Sequence, residues 1–172
     1  EEDAATGRAL VHVTSDLRTP VKARLTWKLT DLDGRVLRRG GQTVDAAPGR
    51  STPAARLSFT REVQGTGGRN VLLWLELAAH GHPVSRNLVL FARPKHMELP
   101  DPRIARRIVT VKGGGFRVTL RAAKPALWTW LEIPGMHLTC SDQFMHLYPG
   151  RSVEILVTPD KPMTAVTFAK VL

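Results

Sequence analysis

The chain has 172 residues, of which 42% are hydrophobic and 23% charged, and its formal net charge is +10. This length and composition suit one medium domain or two small ones with a real core, and no run of 18 apolar residues marks a membrane span. The single cysteine, Cys140, excludes an intrachain disulfide and zinc sites built from several cysteines. The acidic start EEDAATG has no initiator Met and no features of a secretory signal, so we expect a fragment of a longer protein whose cellular location the sequence does not indicate.

Alternation of apolar and polar residues dominates the first half of the chain. Residues 21–30 alternate throughout, which predicts a half-buried antiparallel strand, and Asp33-Gly34 predicts a hairpin turn before a return strand over residues 35–39. No stretch sustains a helical period over three turns, so we expect little helix. Further strands are predicted over residues 10–14, 56–63, 70–79 and 85–91, with Gly and Pro turns between them.

Three prolines at positions 94, 100 and 102 predict an extended link to a second unit. About seven short strands per unit are typical of an immunoglobulin-like sandwich. We therefore predict an all-β chain of two tandem immunoglobulin-like antiparallel β-sandwiches, over residues 1–97 and 98–172. In the second unit, strands are predicted over residues 104–111, 116–121, 126–133, 153–158 and 164–171.

The positive charge would suit a nucleic-acid-binding protein, but its distribution argues against that function. Basic residues are spread over both halves, and within the predicted strands they alternate with apolar residues, as at Lys22, Arg24 and Lys28. This pattern is typical of the solvated face of a sheet. We expect neither nucleic acid nor a membrane among the partners.

Several short motifs occur in a fixed order in the second half: Leu88–Lys95, Glu98–Pro102, Gly114–Leu120, Ser141-Asp142, Phe144 and Pro149-Gly150. This series resembles the C-terminal part of β-mannosidases of glycoside hydrolase family 2. Those enzymes carry a sugar-binding-like sandwich, an immunoglobulin-like sandwich, a catalytic (β/α)8 barrel and further C-terminal sandwiches. The resemblance implies that this chain corresponds to the last two sandwiches, and it is best over residues 86–172.

The resemblance also implies that the catalytic residues lie outside the chain. The family's acid/base and nucleophile are two barrel glutamates, the first preceded by Asn, and no Asn-Glu pair occurs here. Retaining hydrolysis needs two carboxylates about 5 Å apart, whereas Glu76, Glu132 and Glu154 stand singly in separate predicted strands. We expect no catalytic residue, a parent enzyme that hydrolyses terminal β-D-mannosides with retention, and that parent's barrel as the partner.

The segment around Cys140, Asp142 and His146 contains the residue types of a thiol triad, with His137 nearby. Triad partners normally come from separate elements, so we favour a structural corner instead. In that interpretation Asp142 holds the turn while Phe144 and Leu147 fill the end of the sandwich before Pro149-Gly150.

The pair His80 and His82 has a spacing that can bind a metal from one strand face. Zinc usually takes three or four protein ligands, and the sequence offers no third ligand nearby. We therefore predict a hairpin loop here, with no metal site and no cofactor.

The tryptophans are the candidate sugar-binding residues. Trp128 and Trp130 flank Thr129 and should point to the same side of a strand, and we expect at least one of them in the core. The other could stack on sugar rings or contact the absent barrel, and Trp74 is expected at an exposed or interdomain position. The candidate substrate-binding residues are thus Trp128, Trp130 and Trp74, with β-mannoside sugars as ligands. An independent carbohydrate-binding module is the alternative function, and an adhesion or protein-interaction sandwich is a third.

Overall fold

Antiparallel strands form most of the computed structural model, which describes residues 1–172. The chain divides into unit 1, Glu1–Glu98, and unit 2, Leu99–Leu172. Each unit has its own hydrophobic core and two sheets. The predicted all-β fold class, with tandem immunoglobulin-like sandwiches, is confirmed. The helices, seven residues at most, are too short and too polar to cross a membrane.

Unit 1 pairs a three-stranded sheet with a four-stranded one. The first has the order β1 (Glu2–Asp3), β2 (Arg8–Ser15), β5 (Arg50–Ser58). The second has the order β4 (Val36–Ala46), β3 (Val21–Asp31), β6 (Val71–Ala79), β7 (His82–Leu90). Alternate side chains of these strands face inward and form the core, which includes Leu25, Leu29, Val44, Leu57 and Leu73.

The predicted strand over residues 56–63 is wrong beyond Ser58, because α1 (Thr60–Thr66) begins there. Phe59 and Val63 are both buried, and their spacing of four residues places them on the same side of a helical turn. Phe59 packs edge-to-face on Phe91, with ring centroids 6.3 Å apart. If residues 60–63 continued the strand, Phe59 and Val63 would no longer lie one helical turn apart, as they do in the observed core.

Unit 2 pairs a four-stranded sheet with a two-stranded one. The larger sheet has the order β11 (Leu138–Cys140), β13 (Ser152–Pro159), β9 (Gly115–Arg121), β8 (Ala105–Val111). The smaller sheet pairs β10 (Ala126–Thr129) with β12 (Met145–Leu147). The core of unit 2 includes Phe116, Val118, Leu120, Leu147 and Ile155, all 2% exposed or less.

The predicted strand over residues 164–171 is also wrong, because these residues form α2 (Ala165–Val171). Thr164 caps this helix: its Oγ1 accepts a hydrogen bond from the Thr167 N–H at 3.1 Å. Phe168 is fully buried and stacks on Phe116 with a centroid distance of 4.2 Å. A capped end and a single buried ring, that of Phe168, therefore replace the alternating burial of a strand.

Candidate functional site

Three aromatic side chains of unit 2 are exposed to solvent. Trp128 is 43% exposed, Trp130 55% and Phe144 56%. The expectation that at least one of the two tryptophans lies in the core is wrong, and so is the prediction that Phe144 fills the end of the sandwich. Leu147 does fill the core as predicted, together with Met145.

A β-bulge explains why the tryptophans face outward. Ala126 pairs with Leu147 and Thr129 with Met145, so two residues of β10 lie opposite the single residue His146 of β12. Trp128 is the second of these two residues, and its backbone is left-handed with a φ of +49°. The extra residue breaks the alternation from which the same-side prediction was made.

Two edge-to-face ring pairs form on this outward side of the small sheet. The rings of Trp128 and His146 have centroids 5.5 Å apart at an interplanar angle of 75°. The rings of Trp130 and Phe144 are 5.1 Å apart at 87°. We call these four residues the aromatic patch; edge-to-face pairing of this kind is a favourable arrangement of aromatic rings.

A hydrogen bond ties the two strands together inside the patch. The backbone N–H of Trp128 donates to Nδ1 of His146 at 3.2 Å, so the imidazole proton is on Nε2. Burial lowers the pKa of His146 below its ordinary value. The imidazole is therefore neutral at neutral pH, which is the form that can accept this bond.

Gln143, which the sequence patterns did not single out, anchors the segment that leads into Phe144. Its Oε1 accepts from the Leu131 N–H at 2.8 Å, and its Nε2 donates to the Leu131 carbonyl at 2.9 Å. With these two hydrogen bonds, the Gln143 side chain pairs with the Leu131 backbone much as a neighbouring strand would. Phe144 follows directly with a left-handed φ of +55°, so the anchored Gln143 precedes a strained residue.

Cys140, Asp142 and His146, the candidate thiol triad, are close in sequence, but each forms its hydrogen bond with a residue outside the triad. Cys140 Sγ accepts from Gln143 Nε2 at 3.3 Å, and burial raises the pKa of the Cys140 thiol. Asp142 Oδ1 accepts from the Gln143 N–H at 2.8 Å, as a turn-holding carboxylate does. With His146 Nδ1 occupied by Trp128, this segment does not arrange an activated thiolate.

Trp74 lies away from solvent, at 9% exposure, so of the two positions expected for it, exposed or interdomain, the exposed one is wrong. Its indole Nε1 donates to Thr30 Oγ1 at 3.0 Å, and Thr30 is itself fully buried. Leu72, two residues earlier on the same face of β6, is also fully buried, and so is Leu73 on the opposite face. Both faces of β6 are thus covered here, which is why Trp74 does not take the exposed position expected for it.

The remaining candidate ligands and carboxylates are dispersed. His80 and His82 are exposed at the β6–β7 hairpin, and no group of three or more His, Cys, Asp or Glu side chains could hold a metal ion. Glu76 bonds to Arg86 at 2.8 Å, whereas Glu154 lies 3.7 Å from Arg117. Each of these glutamates is thus paired with an arginine of its own sheet.

Unit 1 contains a cleft of about 790 Å³ lined by residues of β2 and of the edge strand β7. Leucine side chains from β6 line it together with polar residues from β2 and β7. The sequence patterns named none of these residues as functional. The lining includes Leu75, Leu77, His12, Ser85 and Asn87.

Family models match both units of the chain. A mannosidase Ig/CBM-like domain model matches residues 7–96, and an Ig-fold domain model matches residues 99–172. A search of curated proteins finds no match.

Solved structures share the fold at low sequence identity. A β-D-mannosidase from Dictyoglomus thermophilum is 15% identical with a TM-score of 0.78, covering 95% of this chain and 19% of its own. The exo-chitosanase of Amycolatopsis orientalis is 17% identical with a TM-score of 0.64, covering 86% of this chain and 22% of its own. The chain thus spans about a fifth of the length of these structures. Because the first family model covers more than half of the residues, the chain belongs to the mannosidase Ig/CBM-like domain family, and the resemblance to the immunoglobulin-like domains of β-mannosidases is confirmed.

Proposed function

We propose that the chain is a non-catalytic accessory region of a β-mannosidase-like retaining glycosidase, and that it packs against the catalytic barrel of its parent chain. The parent would hydrolyse terminal β-D-mannosides. The observation that carries this proposal is the family match over residues 7–96, together with solved glycosidases in which an equivalent fold makes up about a fifth of the chain. We assign its two domains to residues 1–97 and 98–172.

The chemistry of the side chains supports a role without catalysis. Retaining hydrolysis requires a nucleophilic carboxylate and an acid/base carboxylate facing each other across the scissile bond. Glu76 and Glu154 form ion pairs with Arg86 and Arg117 respectively. A carboxylate that pairs with a guanidinium on the face of a sheet is suited to bridging strands. A carboxyl group that acts as the catalytic acid needs a raised pKa, which a neighbouring positive charge opposes.

The test compares the full parent protein with a version that lacks residues 1–172, and with this chain alone. We expect no turnover of p-nitrophenyl β-D-mannopyranoside by the purified chain. We expect the shortened parent to lose thermal stability and activity, because the barrel surface that the accessory region covers would be exposed. Turnover by the chain alone, or a shortened parent indistinguishable from the full protein, would contradict the proposal.

The second candidate function is that of a carbohydrate-binding module. The exposure of Trp128 and Trp130 favours it, since a flat aromatic ring can stack on the C–H face of a pyranose. Trp74 does not belong to this candidate site, because its indole is buried and bonded to Thr30. Sugar binding is compatible with an accessory role, because an accessory domain can hold substrate near a neighbouring catalytic domain.

A further inference from the structure

We propose that the aromatic patch is a binding surface for neutral hexopyranose chains, with Trp128 and Trp130 as the stacking residues and Phe144 and His146 as positioning residues. This inference rests on the second candidate function. It assigns to the site Phe144, which the sequence pattern placed in the core, and His146, which the pattern considered only as a member of a thiol triad, and it specifies the ligand as uncharged.

Three rings of the patch, those of Trp128, Trp130 and Phe144, are exposed, and each of its four rings has an edge-to-face neighbour. Phe144 meets Trp130 at nearly a right angle, and His146 does the same for Trp128. His146 lies in β12, Phe144 directly precedes this strand, and the strand is anchored by the buried side chains of Met145 and Leu147. A ring whose orientation is already restricted by an edge-to-face neighbour loses little conformational entropy when a ligand stacks on it, and this favours binding.

The backbone of the patch is strained at two positions. Trp128 and Phe144 both have a left-handed backbone, with φ of +49° and +55°, which is unfavourable for residues other than glycine. Neither side chain repays this cost by burial, because both are about half exposed. Strain at exposed aromatic residues therefore points to a use outside the folding of unit 2.

The polar groups of the patch match a sugar. At neutral pH none of its four side chains carries a charge, since burial keeps His146 neutral. The indole N–H groups of Trp128 and Trp130 have no hydrogen-bond partner within the chain and lie on exposed side chains. A pyranose offers C–H groups to a ring face and hydroxyl oxygens to a nearby donor, and both are present here.

The charge of the whole chain determines which sugar fits best. A net charge of +10 repels a cationic ligand at low ionic strength, whereas a neutral oligosaccharide is unaffected. We therefore expect tighter binding of β-1,4-linked mannotetraose than of the cationic tetramer of glucosamine. Equal or tighter binding of the glucosamine tetramer at low salt would overturn the assignment to neutral sugars.

The binding test uses the full 172-residue chain and β-1,4-linked mannotetraose. We expect a saturable change in tryptophan fluorescence, confirmed by calorimetry, and an affinity at least about tenfold weaker in Trp130→Ala, which corresponds to the loss of one stacking contact. The matched control is Leu156→Ala, which removes another exposed apolar side chain of unit 2, at 50% exposure, from the four-stranded sheet. A titration without saturable change, or an equal loss in the control, would overturn the inference.

The positioning role has its own readout. Phe144→Ala should weaken binding several-fold while leaving the unfolding temperature unchanged or higher, and Phe144→Tyr should restore binding because it keeps the perpendicular ring. If Phe144→Ala binds normally, or if Phe144→Tyr does not rescue it, Phe144 is not a positioning residue. If the parent enzyme loses stability without this chain but the sugar titration shows no saturable change, sugar binding by the aromatic patch is refuted and the accessory role stands.

Discussion

Trp74 and Thr30 are joined across neighbouring strands by a hydrogen bond from the indole Nε1 to Oγ1 at 3.0 Å, and both side chains are buried. This bond satisfies the indole donor in a place without water. It explains how a tryptophan on the face opposite Leu73 is accommodated in β6. The same residue that the pattern suggests for sugar binding is thus a structural element of unit 1.

Replacement of Trp74 by Phe should lower the free energy of unfolding by about 1–3 kcal/mol, because the Thr30 hydroxyl loses a buried partner and the smaller ring leaves space. Urea unfolding followed by circular dichroism measures this change. Thr30→Val provides the control: the double variant should lose less than the sum of the two single losses, since neither polar group is then left without the other. Strict additivity would show that the bond is not responsible.

Replacement of Phe168 by Ala should destabilise unit 2 by about 3–5 kcal/mol, because a fully buried ring that stacks on Phe116 is removed. Thermal unfolding monitored by circular dichroism gives the measurement. Val166→Ala, on the same helix at 66% exposure, should change stability by no more than about 0.5 kcal/mol. Similar losses for the two variants would mean that α2 is not anchored by its phenylalanine.

Stability should fall when the pH is lowered through the titration range of His146. Burial lowers the pKa of this imidazole in the folded state, so the unfolded chain takes up the proton first, near pH 6.5. The stabilisation is complete above that value, and it is lost as the pH falls toward the lower folded-state pKa. Urea midpoints between pH 7.5 and 5 measure it, and His146→Gln should show a shallower slope. An identical slope in the variant would exclude His146 as the cause.

The Cys140 thiol should react slowly with thiol reagents in the folded chain. Burial raises its pKa, so the thiolate fraction at pH 7.5 is smaller than in free cysteine. Reaction with iodoacetamide should be at least several-fold slower than for free cysteine, and unfolding in urea should restore the ordinary rate. A folded chain that reacts as fast as free cysteine would indicate an activated thiol after all.

Alternation of residue types predicted the central strands well because each has one face on a core. Residues 21–30 were predicted as a strand and lie in β3, where Leu25 and Leu29 are buried. Alternation failed over residues 60–63 and 164–171, where each short helix has a single buried side chain, Val63 or Phe168. A short helix with one buried side chain has too few apolar positions to reveal its period.

The candidate site could be predicted only in part. The two tryptophans stand out in the sequence, but their exposure depends on a bulge opposite His146, and pairing register is not visible in residue types. Phe144 looked like a core residue because apolar side chains usually are buried. Gln143 could not be recognised, since its bonds to Leu131 join segments 12 residues apart.

The left-handed backbone at Trp128 and Phe144 has a consequence for laboratory evolution. Asn and Gly tolerate this conformation far better than Trp or Phe. A library selected for heat resistance alone should therefore enrich Asn or Gly at both positions, whereas selection that also demands ligand capture should retain the aromatic residues. The residues recovered at these two positions would record which of the two pressures had acted.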